Sequence, residues 1–466
     1  MQEMEKQISR WVDEHRDAYI RDVSRLVAIR SVSGEAEEGK PFGPGPAAAL
    51  AEAMKICREM GFRVTDHQGY VMTADLCAEE SALDILAHLD VVGEGEGWDT
   101  DPYTATEIDG CLYGRGTDDD KGPAVAAIYA MACVAEQFPL KKNVRLILGT
   151  DEESGSRDIR HYYAANKPAP NTFSPDASFP VFNTEKGGLA ARFTKSWPEQ
   201  GCLPRIGMLE GGYRINVLPA DAKAIVLGLT EQEAERICRP LAEQLKVQLS
   251  VKGTDGGVEL AVKGLAAHAS TPDQGINGIT ALIRLLLALP LAAHPGVDAL
   301  RQLDELMPHG DSMGTALGIA MADEISGPLT LAFSLLKMDE GGIEGSFDSR
   351  VPICATEENC RLKAKVAFEE RGFGFEGFLR PPHHTPADSP FIQSMLQRYS
   401  AFTGRKGECL SMGGGTYVHD IPGGVAFGAA MPDFESNLHG ANERMKIEDM
   451  LTATKIFAAV ICDLCT

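Results

Sequence analysis

His88 and Asp90 close a short apolar run, Asp84 to Val92, which is rich in branched residues, stops at Gly93 and reads as a buried strand. Side chains two apart on a strand leave the same face, so a carboxylate at Asp90 can orient an imidazole that binds a metal at His88. Further along, a Gly-rich turn from Gly114 to Gly116 delivers Asp118, Asp119 and Asp120 just ahead of Lys121 and Gly122. A buried imidazole with carboxylates at strand ends is the donor set of a divalent metal site. A further acidic pair, Glu152 and Glu153, follows directly on the apolar segment Asn143 to Gly149. Adjacent side chains on extended backbone point apart, so one carboxylate can ligate while the other faces a bound water. Taken singly, each piece has a plainer reading: a core histidine, an exposed acidic turn, a solvated strand end.

The elements that must position these residues alternate. Helical periodicity runs from Met4 to Ala28, Ala47 to Met60 and Pro123 to Gln137, with strands at Asp84 to Val92 and Asn143 to Gly149. That alternation predicts an α/β domain with a mostly parallel sheet and helices on both faces, and in such sheets ligands gather beyond the carboxyl ends of the strands. From about Gly187 the pattern changes to antiparallel segments near Arg214 to Leu227, Val247 to Ser250 and Val258 to Val262, with a turn at Asp255-Gly256-Gly257. Thr230 to Glu233 is a capping box that starts a helix between them. Strands near Leu329 to Lys337 and Gly345 to Arg350, a helix from Thr356 to Arg371 and a strand near Phe373 to Leu379 repeat that order, which suggests an α+β domain of two similar units. The Pro-rich stretch Leu379 to Pro390 then returns the chain to the first domain, completed by helices at Phe391 to Phe402 and Ile447 to Leu464. The expected division is 1–186 and 383–466 for the first domain and 187–382 for the inserted one.

With 466 residues, 44% of them hydrophobic, the chain can bury more than one core. A formal net charge of −23 repels nucleic acid and anionic lipid, so neither is an expected partner. The first helix is charged and amphipathic without an apolar core segment, so secretion by a signal peptide is not expected. The most apolar stretch, Thr280 to Leu289, is short, contains Arg284 and reads as a core helix. Eleven cysteines without framework spacing fit reduced thiols in the cytoplasm, and the lone pair Cys462 and Cys465 cannot complete a thiolate metal site.

His88-Leu89-Asp90 followed by GRGTDDDKGP resembles the two leading motifs of the di-metal metallopeptidase family that includes carboxypeptidase G, aminoacylases and the peptidase V-type dipeptidases. PFGPGPAAAL, Pro41 to Leu50, points within that family to the peptidase V-type dipeptidases, and the similarity extends over nearly the whole chain. The resemblance implies a hydrolase acting on dipeptides with a free C-terminal carboxylate through a metal-bridging water, with an acyl-amino-acid amidohydrolase or an inactive binding relative as alternatives. It implies two divalent ions per chain, zinc, with manganese or cobalt as alternatives. Asp119 would bridge them across a peptide bond to Asp120 that is cis in the family, His88 and Asp176 would complete one site, and Glu153 and His439 the other. Glu152 would be the general base, with Asp90 orienting His88.

The inserted region corresponds to the family's lid, which in dimeric relatives pairs with another subunit; two units in one chain imply a monomer. Within it His268, in GLAAHASTPDQG, matches the histidine that donates to the carbonyl oxygen as it becomes an oxyanion, and Asn216 matches its polar companion. Arg350 matches the arginine that grips the substrate's C-terminal carboxylate, near backbone donors from the loop containing Gly414, Gly415 and Thr416. On its own, Arg350 also reads as a strand arginine paired with Asp348 on the same face. After Gly413 to Tyr417 the chain departs from its relatives, with Val418, His419 and Asp420 where Ala-Arg is common, so no side-chain preference is carried across those positions.

Overall fold

A helix that is apolar nearly all round is stable only when covered on every side, and Lys121–Gln137 is such a helix, buried at every residue from Lys121 to Val134. The computed structural model, which describes residues 2–199 and 201–466, packs it beside Ile447–Cys465, Gln2–Glu14 and Arg16–Val27. Together they cover the sheet face formed by Leu83, Ile85, Ala87, Leu146 and Leu148. The alternate residues Leu86 and Ile147 point the other way, where Ile159 and Tyr162 of helix Arg157–Ala165 meet them. Helices therefore lie on both faces, as the alternation predicts.

In that sheet Val71–Asp75, Asn143–Gly149, Ser81–His88, Asn171–Ser174 and Gly424–Ala426 are neighbours in this order. Pairing is parallel from Asn143–Gly149 through Gly424–Ala426. It is antiparallel beyond both ends of that run: at Arg63–His67 and Val71–Asp75, a hairpin that the sequence pattern does not reveal, and where Gly424–Ala426 meets Val181–Glu185.

Two expectations need correcting. The single helix from Met4 to Ala28 is two, broken at His15, whose ring stacks on Trp11 at 3.8 Å and whose Nδ1 lies 2.7 Å from the Trp11 carbonyl. The strand expected over Asp84 to Val92 is Ser81–His88. Leu89 still donates to the Gly149 carbonyl, but Val91 N–H goes to Ser31, so the ladder ends before Asp90.

Chain contacts divide the protein into two compact units. The first runs to Thr184 and resumes over His384–Leu410 and Gly415–Thr466; the second comprises Glu185–His383 with Ser411–Gly414. The short piece Ser411–Gly414 thus groups with the second unit, although the expected boundary placed everything after 382 in the first.

The second unit is built on one continuous eight-stranded antiparallel sheet. Its first half contains Arg205–Gly211, Asp221–Leu227, Gln248–Thr254 and Gly257–Lys263. The second half contains Gly187–Ser196, Thr330–Met338, Gly342–Val351 and Gly374–Arg380, and the halves join where Leu209 pairs with Met338. Helices Glu231–Gln244, Gly278–Ala288, Pro295–Leu306 and Leu362–Glu369 bury their apolar faces in its core. The capping box forms as expected: Thr230 accepts from Glu233 N–H, and the Glu233 carboxylate accepts from Thr230 N–H. The C-terminal helices are Pro390–Thr403 and Ile447–Cys465. Among the described residues no helix is long and apolar enough to cross a membrane, and the eleven cysteines are free.

Candidate metal centre

His88 is the last residue of its strand, on the face it shares with Leu86, where the Tyr417 ring meets it edge-on at 6.2 Å. Its Nε2 lies 2.9 Å from Asp119 Oδ1 and 3.7 Å from Asp176 Oδ2. The other Asp119 oxygen, Oδ2, lies 2.8 Å from His439 Nε2, which in turn is 3.3 Å from Glu153 Oε1. One carboxylate thus faces two histidines contributed by distant parts of the chain. The potential ligand atoms fall into two sets, each within 4.8 Å of one another: His88, Glu152 and Asp176, and Asp119, Glu153 and His439. The Asp119–Asp120 peptide is cis.

The donor set fits cations. His88 Nε2 and Glu153 Oε1 are buried and face Asp119 and His439 at ion-pair distance without a well-aligned hydrogen bond, and buried polar atoms left so are costly unless something binds them. Burial pushes the Asp176 carboxyl up to about 6, with the Asp119 charge adding to it. Burial also raises Glu152 well above the carboxylate range. Asp119 is held below that range although burial opposes it, because His439 and His88 face it. His439 is pushed up to about 10 by hydrogen bonds to Asp119 and Glu153. Four carboxylates around two imidazoles form a site whose net negative charge divalent ions would neutralise.

Local structure explains how these groups are held. Asp90, off the strand, turns its carboxylate to accept from the backbone N–H of both Glu152 and Glu153, each at 3.1 Å. Those two residues therefore begin a 3-10 turn, Glu152–Ser154, instead of continuing extended backbone. Successive residues in such a turn still diverge, by about 120°, so the pair splits between the two sets. His88 Nδ1 makes its hydrogen bond with the Asp90 backbone carbonyl at 2.9 Å, the carboxylate lying 3.5 Å away, so one buried residue holds the histidine through its main chain and both glutamates through its side chain. Asp158, fully buried, accepts from Thr150 N–H at 2.6 Å, Asp151 N–H at 2.9 Å and the Tyr417 hydroxyl at 2.5 Å. Asp120 accepts from His88 N–H at 2.9 Å.

Sequence reasoning assigned no role to Asp120, Asp158, Tyr417, Arg115 or Glu443. Tyr417 and Glu443 lie inside the motif stretches GGGTY and SNLHGANER, and that proximity was the available signal.

The remaining candidates, except Gly415 and Thr416, lie in the second unit. His268 pairs with Val217 in a short ladder, which places it beside Asn216, and both are exposed. Ser270 donates its N–H to His268 Nδ1 at 3.2 Å, with its hydroxyl 2.6 Å away. Nδ1 is therefore an acceptor and the ring proton of the neutral imidazole sits on Nε2. Arg350 forms the strand pairing with Asp348, at 2.9 Å, and also donates to the Gly413 carbonyl at 2.7 Å. A Cβ at Gly413 would lie 2.8 Å from the Ser270 side chain, so glycine is required there, whereas Gly414 has open space around it. Gly415 is exposed; Thr416 is buried and its hydroxyl accepts from Val418 N–H, capping the turn Tyr417–Asp420. Within that turn Val418 and His419 are buried and Asp420 is exposed.

The sequence profile of peptidase family M20/M25/M40 matches residues 85–463. YtjP of Bacillus subtilis strain 168, which carries the name of a dipeptidase, is 32% identical over 458 residues, covering 96% of this chain and 97% of its own. The beta-Ala-Xaa dipeptidase of Lactobacillus delbrueckii subsp. lactis is 31% identical over 460 residues, covering 96% of each chain. Among solved structures, human carnosine dipeptidase 1 matches with a TM-score of 0.60 at 18% identity, covering 99% of this chain and 98% of that one, a likeness of fold.

Proposed function

The chain belongs to peptidase family M20/M25/M40, and from that premise we propose that it is a two-metal dipeptidase acting on small peptides with a free C-terminal carboxylate. The observation that carries this reading is Asp119, whose two oxygens face His88 and His439 at 2.9 and 2.8 Å. His88, Asp176 and Asp119 would hold one ion, and His439, Glu153 and Asp119 the other. Zinc suits imidazole with carboxylate, and manganese and cobalt accept the same donors. Ions held there would act as Lewis acids that polarise a carbonyl and make water a better nucleophile. Glu152, fixed through its backbone by Asp90, takes the proton and passes it to the leaving amine. His268, with its proton on Nε2, donates to the carbonyl oxygen as charge develops there, and Asn216 supports it. Glu185–His383 with Ser411–Gly414 would be the lid domain, and the first unit the catalytic domain. One chain supplying both halves of the lid sheet supports a monomer, and the odd number of free thiols supports a cytoplasmic setting.

The test is hydrolysis of a dipeptide panel by metal-replete enzyme, with N-acyl amino acids alongside. Dipeptides should be preferred; preference for the acyl compounds would reassign the protein as an amidohydrolase. Ligands bind metal only when deprotonated, so activity should vanish with a chelator, fall as acid protonates the carboxylates and imidazoles, and return with added zinc, manganese or cobalt. Full activity in exhaustively metal-free protein would remove the scheme.

His268→Ala should lower kcat with little change in KM, because an oxyanion donor acts chiefly in the transition state and contributes about 3 to 4 kcal/mol. A rise in KM alone would demote His268 to an ordinary substrate contact.

A further inference from the structure

Asp119 and His439 lie on loops from opposite ends of the chain, and both loops are tied together beneath the ligands by a buried ion pair. Glu443, four residues after His439, is 0% exposed, and its Oε2 accepts from Arg115 at 2.6 Å. Its Oε1 accepts from three backbone N–H groups of the other loop: Gly116 and Asp118 at 3.0 Å and Asp119 itself at 3.2 Å. Arg115, 1% exposed, returns the contact by donating to the Gly440 carbonyl at 3.0 Å and the His439 carbonyl at 3.4 Å. Trp98 lies over the guanidinium at 5.3 Å.

Each loop therefore sends one charged side chain into the backbone of the other. A carboxylate held by successive N–H groups forms a nest that fixes the direction of that backbone. Removing one partner of a buried pair leaves the other uncompensated, so the loops would have to shift or admit water.

The two candidate ligand sets are not equally dependent on this contact. His88 sits on a central strand, with Asp90 and Tyr417 against its ring and Asp120 on its N–H. His439 is in a loop, its side chain 51% exposed, with φ at 60°. Among the described residues, its Nε2 faces Asp119 and Glu153 as ion-pair partners.

We propose that Arg115 and Glu443 are a positioning pair that holds the His439 loop against Asp119, so that the second metal site depends on them far more than the first, which shares Asp119 but has His88 fixed on a central strand and tied to Asp120. The inference rests on reading these residues as a two-ion centre. Outer groups that orient ligands typically change metal affinity about 10- to 100-fold when lost. Here that loss should fall on one of two binding steps.

The experiment is a titration of the metal-free full-length protein with zinc, followed by competition with a chromophoric chelator, with manganese as a second probe. Wild type should bind two ions. Glu443→Gln should weaken one step about 10- to 100-fold and leave the other within about threefold. In a His439→Ala background, which retains the first site, adding Glu443→Gln should change the remaining affinity little. Arg115→Lys keeps the charge but not the fork that reaches the Gly440 carbonyl, and should give the same one-sided loss if Glu443→Gln does not fold. Equal weakening of both steps, or unchanged steps with only a lower melting temperature of the metal-free protein, would overturn the positioning role and leave the two-metal reading intact. A wild type that binds fewer than two ions would overturn both.

Discussion

Glu152→Gln is expected to lower kcat by about 10² to 10⁴ while metal content stays at the wild-type value. The substitution keeps the shape of the side chain, and its backbone N–H remains on Asp90. What is lost, on the proposed reading, is the carboxylate's ability to accept a proton. The geometry makes the metal assay decisive, because Glu152 lies within ligand reach of His88 and Asp176. If metal content falls with activity, Glu152 is a ligand and the base must be sought elsewhere. Glu153→Gln provides the contrast, since it should lose metal occupancy directly.

A dipeptide with a free C-terminal carboxylate should be cut far faster than its C-terminal amide, and Arg350→Ala should abolish most of that preference. Losing one partner of a desolvated charge pair costs about 2 to 5 kcal/mol, which is about 30-fold to several thousand-fold in kcat/KM. Arg350 is already oriented by Asp348 and by the Gly413 carbonyl, so its planar fork is fixed before any substrate arrives. That support has a cost for the experiment: Arg350→Ala also leaves Asp348 buried without its partner, its side chain being 9% exposed. Asp348→Asn should therefore be measured in parallel, to separate loss of the clamp from loss of its support. Equal kcat/KM for the acid and the amide in the wild type would end the carboxylate-clamp hypothesis.

How far the sequence could be read varies with the range of the interaction. The strand Asn143–Gly149 has the expected bounds because an apolar run followed by Thr150 and Asp151 is a local signal. The capping box at Thr230 is equally local. The ligand candidates His88, Asp119, Glu153, Asp176 and His439 are residues of recognisable motifs, and the fold brings them within a few ångström. Asp90 shows where pattern fails: an apolar alternation cannot reveal that the ladder ends at His88, because the partner of Val91 is a loop carbonyl at Ser31. The turn at Glu152 is held by the Asp90 carboxylate, a contact with residues 62 and 63 positions away that no local pattern reveals. Arg115 and Glu443 stand 328 positions apart, and no local rule pairs them.

The strand Gly424–Ala426 lies in the sheet between Asn171–Ser174 and Val181–Glu185. As the chain leaves the ribosome, the first of those neighbours emerges long before the strand that must sit beside it. Until then the nascent sheet keeps an open slot with unpaired backbone groups, a surface that invites wrong pairing. The whole second unit is synthesised while that slot waits. His439 follows later still, so a growing chain carries His88, Asp119, Glu152, Glu153 and Asp176 without the histidine that completes the second set. On the proposed reading, hydrolytic capacity arrives only once the segment carrying His439 has been made, and the chain is inert towards its surroundings until then.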